Sequence, residues 1–277
     1  MNDECLKTIE KSAAQYSFGG DRTLEYIGIE YSANGAVSCK VYLCSRNQFN
    51  MGSGSVPANV RIFHEDLLKK SPDLQFVDYS FRDTDCYSLS YNCIGSEGLY
   101  FDSMAAVIHE RLGLSENPLF QVGFLLDKNA AVLERKYYYN LFKGNDKPSG
   151  KYKFEYVENN TAKFLSLFNA LFPRTDSFTL ENVFSTSLRC LYYPFLVGSN
   201  VRGESVELKQ YFILNRIMNR EEANANFLAF IHNFITDGRL DDIVKTCNDN
   251  LLYLRGYAVS FDDNTCDWRF YFYPLKY

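Results

Sequence analysis

The 277-residue sequence contains one tryptophan, three histidines and four methionines, and none of its eight cysteines falls in a C-x-x-C pair. His64, His109 and His232 stand singly on separate predicted helices, which is not the spacing of a zinc site; they read as surface or satisfied histidines. No apolar run approaches the roughly 18 residues of a membrane-spanning helix. The opening MNDECLKTIEKSAAQYSF has neither the basic segment nor the apolar stretch of a secretory signal, so the expectation is a cytoplasmic chain with reduced thiols. A net charge of −5 supplies no basic field for nucleic acid. Neither nucleic acid nor membrane is an expected partner.

What the chain has in quantity is aromatic side chains. Aromatics make up 16% of the residues, from 21 Tyr and 23 Phe. Tyrosine in that number suits walls that are apolar yet offer hydroxyls. The length fits one domain over residues 1–277, since barrels often run this long as a single unit.

A cation followed two residues later by a tyrosine recurs on four predicted strands: Lys40 with Tyr42, Lys136 with Tyr138, Lys209 with Tyr211, and Arg269 with Tyr271. Side chains two apart on a strand share a face, so each pair sets one cation beside one phenol. The opposite face is apolar, carrying Val41 and Leu43, Tyr137 and Leu141, Phe212 and Leu214, Trp268 and Phe270. Two readings fit. An antiparallel sheet with one wet face alternates in this way without any function. Alternatively, the four strands share a surface lined by cations and tyrosines that holds an anionic, partly apolar ligand.

Hairpins are expected at Leu24–Tyr31 with Val37–Leu43, at Phe120–Leu126 with Val132–Leu141, at Arg189–Val197 with Ser205–Leu214, and at Leu254–Phe261 with Thr265–Pro274. The Asn34-Gly35 turn is the strongest of their signals. A less regular pair lies in Leu74–Cys93, with Ser88 and Ser90 where cations would be expected. Helices are expected from Pro57 to Lys70, over Ser103–Leu112, over Thr161–Phe172, and around Phe227–Ile235 before Gly238. Each offers one apolar stripe to cover a sheet face. The segment Lys143–Lys151 reads as a loop. The fold class is therefore α+β, and closure of the sheet would give an antiparallel barrel with an enclosed lumen and helices outside.

Hairpins alternating with helices, with cation and tyrosine pairs on inner strands, resemble the ABBA-type (αββα barrel) soluble aromatic prenyltransferases. The chain is most similar to the cyanobactin-like peptide prenyltransferases within that group. Four segments carry the resemblance: Leu24-Glu25 with the strand through Lys40, Gly123 through Lys136, Glu207 through Tyr211, and Trp268 through Tyr273. It implies a closed barrel of repeated αββα units that transfers dimethylallyl or geranyl from its diphosphate to an electron-rich side chain of a peptide. Such modification belongs to the biosynthesis of ribosomally made peptides. Prenylation of a small phenol or indole, or ligand binding without catalysis, are the alternatives.

On this resemblance Lys40, Lys136, Lys209 and Arg269 bind the diphosphate. Tyr42, Tyr138, Tyr211, Tyr271 and Tyr273 shield the allylic cation and line the substrate site. Glu25, expected across from Lys40, is the catalytic base. Glu30, facing away from Glu25 by parity, ranks behind it. The aspartate-rich motifs of the all-helical isoprenoid enzymes are missing, so Mg²⁺, where used, would be carried on the diphosphate.

Overall fold

The computed structural model describes residues 2–16, 22–45, 56–72, 74–83, 86–93, 119–141, 152–214, 219–236, 238–262 and 265–274. Five hairpins account for the strands described: β1 (Arg22–Tyr31) with β2 (Val37–Ser45), β3 (Leu74–Asp83) with β4 (Cys86–Cys93), β5 (Leu119–Asp127) with β6 (Val132–Asn140), β7 (Tyr192–Arg202) with β8 (Ser205–Leu214), and β9 (Leu252–Asp262) with β10 (Thr265–Pro274). All ten strands join one antiparallel sheet in the order β2-β1-β10-β9-β8-β7-β6-β5-β4-β3. The last strand thus returns to pair with the first. At the ends of this order, β2 and β3 come within 8 Å of one another between Cα atoms, so the sheet curls round on itself.

Local chemistry sets the turns. Gly35 takes a φ of 78°, a conformation open to glycine at no steric cost, and Asn34 Oδ1 accepts a 2.9 Å bond from the Ala36 N–H. In the β5–β6 turn Asp127 Oδ1 accepts from the Asn129 and Ala131 N–H groups, both at 2.8 Å.

Two boundaries differ from the sequence expectation. Arg189 ends a helix instead of opening a strand, and Gly198 does not begin a turn, since β7 runs on to Arg202. The glycine lies mid-strand because neighbouring rings cover it. A Cβ at Gly198 would meet Tyr211 Cε2 at 2.7 Å and Tyr138 Cδ1 at 3.3 Å.

The described helices are α1 (Asn2–Tyr16), α2 (Ala58–Lys70), α3 (Tyr152–Asn159), α4 (Thr161–Leu171), α5 (Ser177–Arg189), α6 (Arg220–Ile231) and α7 (Arg239–Asp249). α5 starts where Asp176 accepts from the Thr179 N–H at 2.8 Å, and α6 at a capping box of Asn219 and Glu222. The helix expected at Ser103–Leu112 and the loop expected at Lys143–Lys151 lie outside the described residues.

The core lies between the helices and the apolar face of the sheet. Phe184 of α5 and Phe168 of α4 pack on Phe212 of β8, with ring centroids 6.3 and 6.1 Å apart. Phe230 of α6 stacks on Tyr257 at 4.7 Å, and Phe227 packs on Phe270 at 4.8 Å. All of these rings are buried, each contributing about 1.5–3 kcal/mol by leaving water. With the apolar face committed to helices, the polar residues of the same strands must face the other way. None of the described helices is long and apolar enough to cross a membrane.

Candidate functional site

The even-numbered strands all run in one direction, so residues spaced two apart on each fall into common layers across the sheet. Three polar layers result. A carboxylate layer holds Glu134 of β6 and Glu207 of β8. Lys40, Lys136, Lys209 and Arg269 form the next, and Tyr42, Tyr138, Tyr211 and Tyr271 the third. In β4 the equivalent positions are Ser88 and Ser90.

The four predicted cations do converge, and carboxylates separate them. Glu30 of β1 stands opposite Arg269 in the register and pairs with both Lys40 and the Arg269 Nε, the latter at 3.0 Å. Arg269 also reaches Glu207 at 3.5 Å, and Glu207 takes Lys209 at 2.5 Å and the Ser260 hydroxyl at 3.2 Å. Lys136 lies 3.6 Å from Glu134, which also pairs with Arg202.

These charges shift one another's proton affinities. Burial opposes ionisation of Glu134 and Glu207, but the adjacent cations outweigh it and hold both carboxyls below the ordinary value. Lys209, only 1% exposed, is pushed down to about 7 by burial and by Arg269, with Glu207 offsetting part of the effect. For Arg269 burial acts downward and Glu30 and Glu207 upward, and the carboxylates prevail.

The lowered lysine has a measurable consequence. In the unfolded chain Lys209 returns to its ordinary affinity, so between about pH 7 and the ordinary lysine value the unfolded state binds the extra proton. Stability should therefore rise with pH through that window, by up to roughly 1.4 kcal/mol per unit, and the penalty is complete below about pH 7. Melting temperatures from pH 7 to about pH 9 should climb in the native protein relative to Lys209→Met. Parallel curves for the two proteins would contradict a buried, strained ammonium.

Above the cations the phenols form a continuous belt. Ring centroids are 5.7 Å apart for Tyr138 and Tyr211, 6.1 Å for Tyr211 and Tyr271, 5.6 Å for Tyr271 and Tyr26, and 4.1 Å for Tyr26 and Tyr42. Tyr273 joins it 5.1 Å from Tyr26. Burial raises the proton affinity of Tyr138, Tyr211, Tyr271 and Tyr273, so all stay protonated and able to donate. The odd-numbered strands leave room for the belt by placing Gly28 and Gly256 opposite Tyr271, and Gly198 opposite Tyr138.

A cavity of about 370 Å³ opens over these layers, within the size of a small-molecule site. Its floor includes Lys136, Arg269, Asn200 and Ser88, its walls Tyr26, Tyr42, Tyr138, Tyr211, Tyr271 and Tyr273. Phe195, Ile213 and Arg255 also line it. Lys136 and Arg269 keep 16% and 24% of their side chains exposed, against 11% for Lys40 and 1% for Lys209. Lys136 and Arg269 line the cavity, while Lys40 and Lys209 are not among the described residues that do.

Glu25 is placed differently from the expectation. Gly28 stands opposite Lys40, and Glu25 is the extra residue of a β-bulge between Leu24 and Tyr26. The bulge breaks the two-residue alternation, which is why Glu30, not Glu25, joins the cations. Glu25 is half-buried on the far side of the tyrosine belt, where its charge raises the Tyr273 phenol; it is not among the described residues lining the cavity.

Bulges recur at this level. The register shifts between Leu24 and Tyr26, Phe76 and Asp78, Leu119 and Gln121, and Pro194 and Leu196; in β9 it skips Arg255, between Leu254 and Gly256. In each odd strand the residue after the bulge is the register partner of the same layer: Tyr26 of Tyr42, Asp78 of Ser90, Gln121 of Tyr138, Leu196 of Tyr211, and Gly256 of Tyr271.

Of the histidines, His64 Nδ1 lies 3.0 Å from the Tyr91 hydroxyl and His232 lies 3.1 Å from Asp241, both away from the cavity; His109 is outside the described residues. No family model matches this chain, and no curated protein sequence matches it.

Proposed function

We propose that the chain is a prenyltransferase of the αββα-barrel type, moving a dimethylallyl or geranyl group from its diphosphate to an electron-rich side chain of a peptide. The observation that carries this reading is the stacking, within one cavity, of a cationic floor beneath a continuous run of phenols. The close approach of β2 to β3 supports a closed barrel. One bulge per hairpin at the same level supports five repeated units.

Transfer breaks the bond between C1 of the prenyl group and the diphosphate oxygen, which leaves with the electron pair. Lys136 and Arg269, backed by Lys40 and Lys209, stabilise the charge that develops there. The belt of Tyr42, Tyr138, Tyr211 and Tyr271 faces the allylic cation, each ring contributing about 0.5–2 kcal/mol, and excludes water. The acceptor atom bonds to C1 and loses its proton.

Glu30 is a poor base, because its carboxyl group is already engaged by Lys40 and Arg269 below the belt. Glu25, whose charge reaches the Tyr273 phenol on the far side of the belt, takes the proton in this proposal. Among the described residues no group of three acidic, histidine or cysteine side chains could hold a metal; Mg²⁺ would enter on the diphosphate, supplying positive charge to the leaving group.

A second reading draws on the carboxylates. Glu30, Glu134 and Glu207 already pair with the floor cations, which also suits a barrel that holds an apolar or weakly anionic ligand without turnover. Incubation with geranyl and dimethylallyl diphosphate, Mg²⁺ and aromatic peptides or phenols separates the two. The first reading predicts acceptor mass gain with release of pyrophosphate, and a loss of at least tenfold in turnover for Glu25→Gln with diphosphate affinity retained. Intact diphosphate with every acceptor would favour the binder. Product from phenols but not peptides would assign a small aromatic acceptor.

A further inference from the structure

The cavity has cations at both ends. Lys136 and Arg269 form its floor, below the tyrosines, and Arg255 lines it from the opposite side of the belt. Arg255 is the extra residue of the β9 bulge, since Gly256 pairs with Tyr271 and Leu254 with Phe272. Bulges re-aim side chains at barrel rims and beside sites, and this one turns an exposed arginine toward the cavity. Its guanidinium lies over the Tyr273 ring, 5.5 Å from the centroid, which holds the planar fork in a fixed orientation. Among the described residues no carboxylate pairs with it. Every floor cation, in contrast, has a glutamate partner.

We propose that Arg255 binds a carboxylate on the acceptor, so that the preferred acceptor is an aromatic group close to a carboxylate. This deepens the proposed prenyl transfer and rests on it for the identity of the acceptor. The physical basis is a bidentate guanidinium–carboxylate pair, stronger and more directional than a bond to a neutral amide. The ring of the acceptor would then lie in the aromatic section, between Arg255 and the diphosphate on the floor. The bulge residue Phe195 lines the cavity from β7 and completes the rim.

The carboxylate has three sources with the same chemistry: a free aromatic amino acid, a peptide C-terminus, or an acidic side chain next to an internal tyrosine. Direct binding tests the inference without requiring turnover. N-acetyl-L-tyrosine and N-acetyl-L-tyrosinamide, and the matching tryptophan pair, are titrated by calorimetry with geranyl S-thiolodiphosphate present and absent. The carboxylates should bind at least tenfold more tightly than the amides. Arg255→Gln should bring that ratio near one, and Arg255→Lys should leave an intermediate preference.

Gly-Gly-Tyr, its C-terminal amide, and a capped peptide with Asp beside an internal Tyr distinguish the sources. Equal binding of acid and amide, or a ratio unmoved by Arg255→Gln, would overturn the role of Arg255. The thiolodiphosphate is read separately. If it fails to bind while the carboxylate preference holds, the prenyl-transfer reading falls and the carboxylate site stands.

Discussion

Arg269→Ala is expected to cost about 3–5 kcal/mol of stability and to remove prenyl transfer altogether. Its guanidinium bridges Glu30 and Glu207, at 3.0 and 3.5 Å, with about a quarter of the side chain exposed. Its loss takes a cation from two part-buried carboxylates at once, leaving Glu30 with Lys40 and Glu207 with Lys209, a lysine that burial has already made a weaker cation. A surface ion pair would contribute about 0–1 kcal/mol, so the magnitude separates the two situations. A cycle with Glu30→Ala isolates the coupling: the double variant should lose at least about 1 kcal/mol less than the sum of the singles. Chemical denaturation reads both quantities. An Arg269→Ala protein as stable as the native one would mean that the floor is solvated.

Lys136→Ala should instead leave the fold nearly intact and lower kcat/KM for transfer at least tenfold. Glu134 retains Arg202 after the change, so no carboxylate is stranded, and Lys136 makes only a 3.6 Å contact with it. What is lost is a cation exposed to the cavity. Tenfold corresponds to about 1.4 kcal/mol of transition-state stabilisation, a modest demand for a charge aimed at a departing diphosphate. Initial rates under single-substrate saturation, with unfolding midpoints as control, check it. Unchanged kinetics would take Lys136 out of the leaving-group site.

The sequence foreshadowed the hairpins because their signals are local. Asn34-Gly35 and Asp127 make their turns with bonds spanning four residues or fewer. The cation and tyrosine layers were equally legible, because a two-residue spacing survives along an unbroken strand. Parity failed at the bulges. One inserted residue at Glu25 reverses the faces on either side of it, and nothing in the residue types at that point announces the insertion.

The pairing of the carboxylates with the cations was not legible, for a different reason. Glu134 and Glu207, two positions before their cations, look like ordinary solvent-facing alternation, and Glu30 joins them only through the pairing of β1 with β10. That pairing links residues more than 200 positions apart, beyond the reach of any local pattern. Gly28, Gly198 and Gly256 did carry a signal, since glycine inside a strand marks a close approach; the rings of Tyr42, Tyr211 and Tyr138 over Gly28 and Gly198 are that approach.

The most direct test of the account is the affinity of the native protein for geranyl S-thiolodiphosphate, measured by calorimetry beside Lys136→Ala. One molecule should bind per chain, at least tenfold more weakly in the variant, and with proton uptake near pH 7 to 8 as the anion restores the Lys209 charge. Absence of binding, or equal affinity in the two proteins, would contradict a pyrophosphate grip on the cavity floor.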